Sequence, residues 1–320
     1  MILRDIDFGH ILVGSGTQGF FGEGYWYHKY FKPLGLDFES STFVAKTTTL
    51  RPRMGNLPLK DDGITPKELF PKCIKVYPCK GLVLNAVGLS GPGAEFLFKD
   101  GRWQKIKKPF FISFMAVGES FEMRYLEAVN FAILFKKYLH SFSASVGLQI
   151  NSSCPNVKIK IDQCTQAEEM KIILEIISAY LPAVPLMPKI NVLTPVEVAK
   201  KISDDPNCDA LCVSNTIPWG ALPDKINWKK LFGTDVSPLA HLGGGGLSGK
   251  PLLPIVAEWL ADARKIGITK PINAGGGILS PDDVNILKDA DSVSVSSVAI
   301  LRGWRVKKII RRANEIFGGE

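Results

Sequence analysis

No apolar run in this 320-residue chain approaches the roughly 18 residues of a membrane span. The N-terminus, Met1-Ile2-Leu3-Arg4-Asp5-Ile6-Asp7, has no signal-peptide apolar core. The six cysteines form no CxxC pair, which removes the usual zinc-ribbon and iron–sulfur spacings. His10, His28, His140 and His241 show no metal-ligand spacing either. No segment repeats, none is of low complexity, and no Ser- or Gly-rich linker divides the chain. A chain of this size needs no disulfides, so a reducing, cytoplasmic setting is the expectation. Cys208 and Cys212 lie in or beside an apolar run and are read as buried thiols.

What is present is ordinary for a globular enzyme, with 46% hydrophobic and 22% charged residues. The net charge is +8, but the basic residues are dispersed. Their densest run is Arg302, Arg305, Lys307, Lys308, Arg311 and Arg312, interleaved with Trp304, Val306, Ile309 and Ile310. It admits two readings, a solvated helix face or anion collar and a polyanion patch; charge runs favour the former.

Short β-like runs alternate with amphipathic stretches, the pattern of a parallel sheet. Strands are expected at 10–13, 42–45, 81–85, 110–115, 145–150, 185–190, 209–213, 270–274 and 291–295. Helices are expected at 119–140, 166–181, 195–203, 251–266, 281–288 and 299–316. Nine strands exceed an eight-stranded barrel by one, and 81–85 is taken as the extra strand. We expect a single α/β domain over 1–320, a (β/α)8 TIM barrel. Long active-site loops are expected near 51–80, 152–165 and 216–250.

The chemistry gathers at predicted strand ends, where such barrels keep their sites. Gln149-Ile150-Asn151-Ser152-Ser153-Cys154-Pro155-Asn156-Val157 ends a strand and sets a thiol between two amides. Asn supplies donors and an acceptor to a planar polar ligand, and the thiol is open to use as base or nucleophile. Asn85 and Asn215-Thr216 end further runs. Singly, each Asn is a turn residue. Together they suggest an amide-lined pocket for a flat heterocycle. Lys46 and Lys189 also sit at strand ends, where a lysine is either solvated or set to stabilise negative charge. Asn273-Ala274-Gly275-Gly276-Gly277-Ile278 and Ser294-Val295-Ser296-Ser297 end the last two strands. A glycine turn and an N-cap serine would suffice for either alone; as a pair they suggest a phosphate site.

The chain resembles the dihydroorotate dehydrogenases, FMN-dependent (β/α)8 barrels. The resemblance is carried by Lys46-Thr47-Thr48-Thr49-Leu50-Arg51-Pro52-Arg53-Met54-Gly55-Asn56, by Asn85-Ala86-Val87-Gly88-Leu89 and by the Asn151–Val157 block. It continues through Lys189, Val213-Ser214-Asn215-Thr216, Gly245-Gly246-Leu247-Ser248-Gly249 and Gly276-Gly277-Ile278, in the family's order over nearly the whole chain. It implies oxidation of dihydroorotate to orotate in de novo pyrimidine (UMP) biosynthesis. Cys154 would be the base at C5 while the C6 hydride passes to flavin N5. The substrate would be held by Lys46, Asn85, Val87, Gly88, Leu89, Asn151, Asn156, Asn215 and Thr216. FMN would be held by Gly14, Ser15, Lys46, Thr47, Asn151, Lys189, Ser214 and Gly249, and its phosphate by Gly276, Gly277, Ser296 and Ser297. A cysteine base points to the soluble class, which implies either a fumarate-using homodimer or a barrel paired with an iron–sulfur flavoprotein subunit for NAD. No nucleic-acid partner is expected.

Three positions depart from the family pattern. Gly91 stands where Asn is frequent, Ser296 where Gly is usual, and Leu253-Pro254 where Lys-Pro is usual. Two other readings stay open, a related flavin enzyme for another dihydropyrimidine and a barrel subunit without catalysis.

Overall fold

A computed structural model describes residues 1–153, 156 and 163–319. Eight short strands form one parallel sheet. They are β1 (Ile11–Val13), β2 (Thr42–Phe43), β3 (Phe110–Phe114), β4 (Val146–Asn151), β5 (Leu186–Ile190), β6 (Leu211–Val213), β7 (Ile272–Gly275) and β8 (Ser292–Val295). Neighbours in sequence are neighbours in the sheet, and β8 pairs with β1. A parallel bridge between Val44 and Phe111 joins the β2 segment to β3 and completes the ring. Backbone bonds from Ala45 N to Phe111 O and from Thr48 N to Ser113 O, both 2.9 Å, extend that seam. The expected (β/α)8 barrel is therefore present.

The strands read as barrel strands because both their faces are covered. Phe110–Phe114 and Val146–Asn151 are buried at every position, as strands walled by helices must be. Alternation still sorts the side chains. Leu12, Val44, Phe111, Met187 and Cys212 share one cluster with Met1, Leu3 and Phe8, which the hairpin Ile2–Leu3/Ile6–Asp7 supplies. The Phe8 and Phe111 ring centroids lie 4.2 Å apart. Neighbouring residues such as Ile11, Phe110, Ile112 and Phe114 belong to the larger cluster shared with the helices.

Those helices are α1 (Ala94–Asp100), α2 (Phe121–Leu139), α3 (Gln163–Tyr180), α4 (Val196–Ser203), α5 (Leu252–Lys265), α6 (Ser297–Leu301) and α7 (Val306–Gly318). Ser120 caps α2 by accepting from Met123 N at 3.3 Å, one of the end bonds a helix cannot make itself. The stretch expected as one helix over 299–316 is two, separated by a short 3-10 turn at Gly303–Arg305. In α7 the buried residues Val306, Ile309, Ile310 and Ala313 follow helical spacing. Lys307, Lys308 and Arg311 are on the exposed side, while Arg302 and Arg305 of the basic run precede α7 and are half-buried.

The ninth strand, Leu82–Asn85, lies outside the barrel as expected. It joins a four-stranded antiparallel sheet with Ile74–Tyr77, Gly246–Gly249 and Ile217–Pro218. Segments 51–80 and 216–250 thus differ from plain loops, for they carry three of these strands. Hydrophobic periodicity hides strands this short. Gly249, at φ +107°, shows why glycine is needed here: a Cβ would come within 2.1 Å of Gly81 O.

Candidate active site

Because the eight strands are parallel, their C-terminal ends share one face, and the antiparallel sheet lies beside it. A cavity of about 1000 Å³ opens there. Gly14, Ser15, Lys46, Thr47, Asn85, Val87, Gly88 and Leu89 line it. So do Asn151, Asn156, Lys189, Ser214, Asn215, Thr216, Gly276, Gly277, Ser296 and Ser297. Gly249 is not among the lining residues; its carbonyl lies 2.9 Å from where a Cβ of Gly277 would stand. Cys154 lies outside the described residues.

One hydrogen-bond network fixes the amides. Asn215 Nδ2 donates to Asn151 Oδ1 at 3.0 Å and to Ser153 Oγ at 3.2 Å. Asn151 Nδ2 reaches Thr47 Oγ1 at 3.4 Å. Thr47 Oγ1 lies 2.9 Å from the hydroxyls of Ser15 and Ser113. Five strand ends are thereby held in one chain of hydroxyls and amides. A separate pair completes the rim, with Asn156 Nδ2 donating to Asn85 Oδ1 at 3.1 Å. Asn156 Oδ1 is buried and has no hydrogen-bond partner among the described residues, so a ligand N–H would satisfy it.

Lys46 is the electrostatic centre. Its side chain is 8% exposed. Nζ donates to Ser90 O and lies 4.7 Å from the Phe20 ring centroid. Burial pushes its pKa down to about 8, against the raising effect of Glu23 and Cys73. No ion pair compensates it among the described residues, which leaves an ammonium ready for an anion. A second lining cation at a strand end, the half-buried Lys189, has its carbonyl taken by Ser152 and Ser153 hydroxyls at 3.3 and 3.2 Å.

At the far end, Gly276 and Gly277 take φ +134° and +83°. A Cβ at Gly277 would stand 2.7 Å from Leu253 N, so the loop must be glycine for the chain to pass this close. The Ser296 departure has a partner: its Oγ sits 2.7 Å from Thr17 Oγ1. The Gly91 departure has one too, because a Cβ there would meet Phe20 Cζ at 2.8 Å. Neither Thr17 nor Phe20 was anticipated. Thr17 and Ser296 are 279 residues apart, and nothing local marks such a pair.

The dihydroorotate dehydrogenase family model matches residues 11–316. The chain belongs to the dihydroorotate dehydrogenase family. It is 28% identical to the dihydroorotate dehydrogenase B (NAD(+)) catalytic subunit of Endomicrobium trichonymphae, over 96% of this chain and 87% of that relative. The corresponding subunit of Carboxydothermus hydrogenoformans is 26% identical, over 95% and 87%. Dihydroorotate dehydrogenase A (fumarate) of Lactobacillus delbrueckii subsp. bulgaricus is 30% identical, over 90% and 82%. Among the described residues, no group of three or more His, Cys, Asp or Glu could hold a metal, and no helix is long and apolar enough to cross a membrane.

Proposed function

We propose that this chain oxidises dihydroorotate to orotate with FMN as its cofactor. The observation that carries the reading is the convergence of the family's substrate and cofactor positions on one cavity that holds an uncompensated lysine and an orphaned amide oxygen. The residues fit FMN. The Gly276-Gly277 turn leaves backbone open beside the Ser296 and Ser297 hydroxyls, a setting suited to a phosphate. The cavity is at the large end for a single small ligand, which accords with cofactor and substrate lying together.

FMN supplies the two-electron acceptor at N5 that conversion of a C–C single bond to a double bond requires. The chain's residues do the rest. Cys154 takes the C5 proton, a role given by the resemblance. Lys46 holds the substrate's negative charge, and the Asn85–Asn156 pair reads its imide edge, Asn156 Oδ1 accepting an N–H. Val87, Gly88, Leu89 and Thr216 shape the rest of the substrate pocket. Asn151 and Asn215, tied to each other, would hold the substrate, and Asn151 with Thr47 would hold the cofactor. Lys189 would be the residue to offset negative charge at the cofactor ring. Gly14, Ser15 and Ser214 would contact the cofactor, and Gly249 backs Gly277. We take the chain to be a cytoplasmic enzyme of one domain, working as a homodimer or with an iron–sulfur flavoprotein subunit; the words "catalytic subunit" in the names of the NAD(+) relatives support a partner.

Gly91 with Phe20 favours a second reading, a dihydropyrimidine that lacks one polar contact. Anaerobic mixing of the flavin-loaded protein with dihydroorotate tests both. Bleaching of the flavin absorbance, reversed by fumarate or by NAD with a partner subunit, is expected. Bleaching by dihydrouracil and not by dihydroorotate overturns the substrate, and no bleaching by either overturns the reaction.

A further inference from the structure

Asn191 follows directly on β5, two residues past Lys189, and is not among the residues lining the cavity. It is 5% exposed. Backbone groups engage both ends of its amide. Nδ2 donates to Thr216 O at 2.7 Å, and Oδ1 accepts from Leu193 N at 3.1 Å. A carbonyl can only accept and a backbone N–H can only donate, so the amide has one orientation and cannot turn over.

The two bonds serve different ends. The one to Leu193 is local, an Asx turn that starts the connection from β5 to α4. That turn is also fixed by other means. Thr194 N donates to Asn191 O at 2.9 Å, and the buried Trp259 of α5 donates from Nε1 to Thr194 O at 2.8 Å. The bond to Thr216 spans 25 residues and leaves the turn. It ties down a residue whose own N–H donates to Asn215 Oδ1 at 2.9 Å. With Oδ1 so engaged, Asn215 presents Nδ2 to Asn151 Oδ1 and Ser153 Oγ. A side chain outside the cavity thus stands at the head of the bonds that aim two lining amides. In a buried network each satisfied bond narrows the orientations open to the next group.

We infer that Asn191 is a positioning residue for the pyrimidine: it fixes Thr216, and through Thr216 the amides of Asn215 and Asn151, without touching substrate. The inference rests on the dihydroorotate reading. Calorimetric titration of the flavin-loaded full chain with orotate tests it, in the wild type, Asn191→Asp and Asn191→Leu. Both replacements are close to Asn in size and lack the donor to Thr216 O, and the carboxylate still accepts from Leu193 N. Each variant should bind orotate about tenfold more weakly at about pH 8. A buried carboxyl protonates readily and then carries an O–H that can donate to Thr216 O. Asn191→Asp should therefore recover most of its affinity towards about pH 5, and Asn191→Leu should not. Adding Asn215→Ala to Asn191→Leu should cost little beyond Asn191→Leu alone, since both act through one chain of bonds. Urea melts of both variants separate misfolding from misplacement, and the recovery in acid cannot arise from a merely unstable fold. Wild-type affinity in Asn191→Leu, a loss confined to Asn191→Asp, no recovery in acid, or additive losses in the double variant overturns the inference and leaves the dihydroorotate reading standing. Failure of the wild type itself to bind orotate overturns both.

Discussion

Replacing Lys46 by methionine should stabilise the unliganded protein and ruin its binding of orotate. Burial lowers the Lys46 pKa from 10.5 to about 8. At about 1.4 kcal/mol per unit, holding that charge in the folded chain costs about 3 kcal/mol. The bond to Ser90 O and the Phe20 ring return part of this, so a gain of about 1–3 kcal/mol is expected at pH 7. The pH dependence follows from the sign of the shift. The folded pKa lies below the unfolded one, so the penalty is complete below about pH 8 and fades as pH rises from 8 towards 10.5. Wild-type stability therefore carries a rising component across that window, and Lys46→Met lacks it. Ligand binding runs the other way. Removing one partner of a buried charge pair costs about 2–5 kcal/mol, roughly 30-fold to several thousand-fold in affinity. Wild-type affinity for orotate should fall above about pH 8 as the ammonium is lost, while the variant binds weakly at every pH. Urea melts between pH 7 and 10 and calorimetric titration with orotate measure both arms. A variant that is less stable at pH 7, or that binds orotate as the wild type does, refutes the assignment of Lys46 as an uncompensated cation kept for an anion.

Three further outcomes follow from the site. Cys154→Ala should retain FMN while reduction by dihydroorotate, followed by stopped-flow absorbance, slows by roughly 10²-fold or more; loss of FMN instead would make the thiol structural. Gly277→Ala puts a Cβ 2.7 Å from Leu253 N at φ +83°, and strain of about 1–3 kcal/mol should weaken FMN binding roughly 5- to 100-fold in a fluorescence titration. Asn215→Ala releases both Asn151 and Ser153, so orotate affinity should drop by roughly tenfold with a smaller change for FMN; equal losses for the two ligands would count against separate roles.

The barrel was legible because its strands are continuous apolar runs punctuated by helices, and such runs survive without knowledge of their neighbours. Taking 81–85 as the extra strand was correct for another reason: the count left one strand over, and this one follows the long irregular stretch 51–80. Ile217–Pro218 and Gly246–Gly249 were not legible. Two and four residues long, they are strands only through distant partners, Gly246–Gly249 beside Leu82–Asn85 and Ile217–Pro218 beside Gly246–Gly249. The strand-end amides could be located one by one, yet the bond from Asn215 to Asn151 spans 64 residues and that from Asn156 to Asn85 spans 71. Their grouping followed from the barrel, since parallel strands bring all C-terminal ends to one face. Phe20 against Gly91 and Thr17 against Ser296 had no such rule to predict them, for they depend on packing details that local pattern does not encode.

Asn85 occupies a seam between distant parts of the chain. Its strand pairs on one side with Ile74–Tyr77 and on the other with Gly246–Gly249, where Asn85 itself stands opposite Gly246. The second pairing closes a loop of some 160 residues, as the bond from Asn85 Nδ2 to Gly246 O shows. Contacts of such sequence separation form late in folding. During synthesis, then, the first half of the barrel can emerge with its own pairings while Asn85 still lacks a neighbour on its open edge. Binding competence becomes a property of the finished chain, and a ligand that grips Asn85 and Asn156 would favour fully assembled molecules over any intermediate that has yet to bring in residues 246–249.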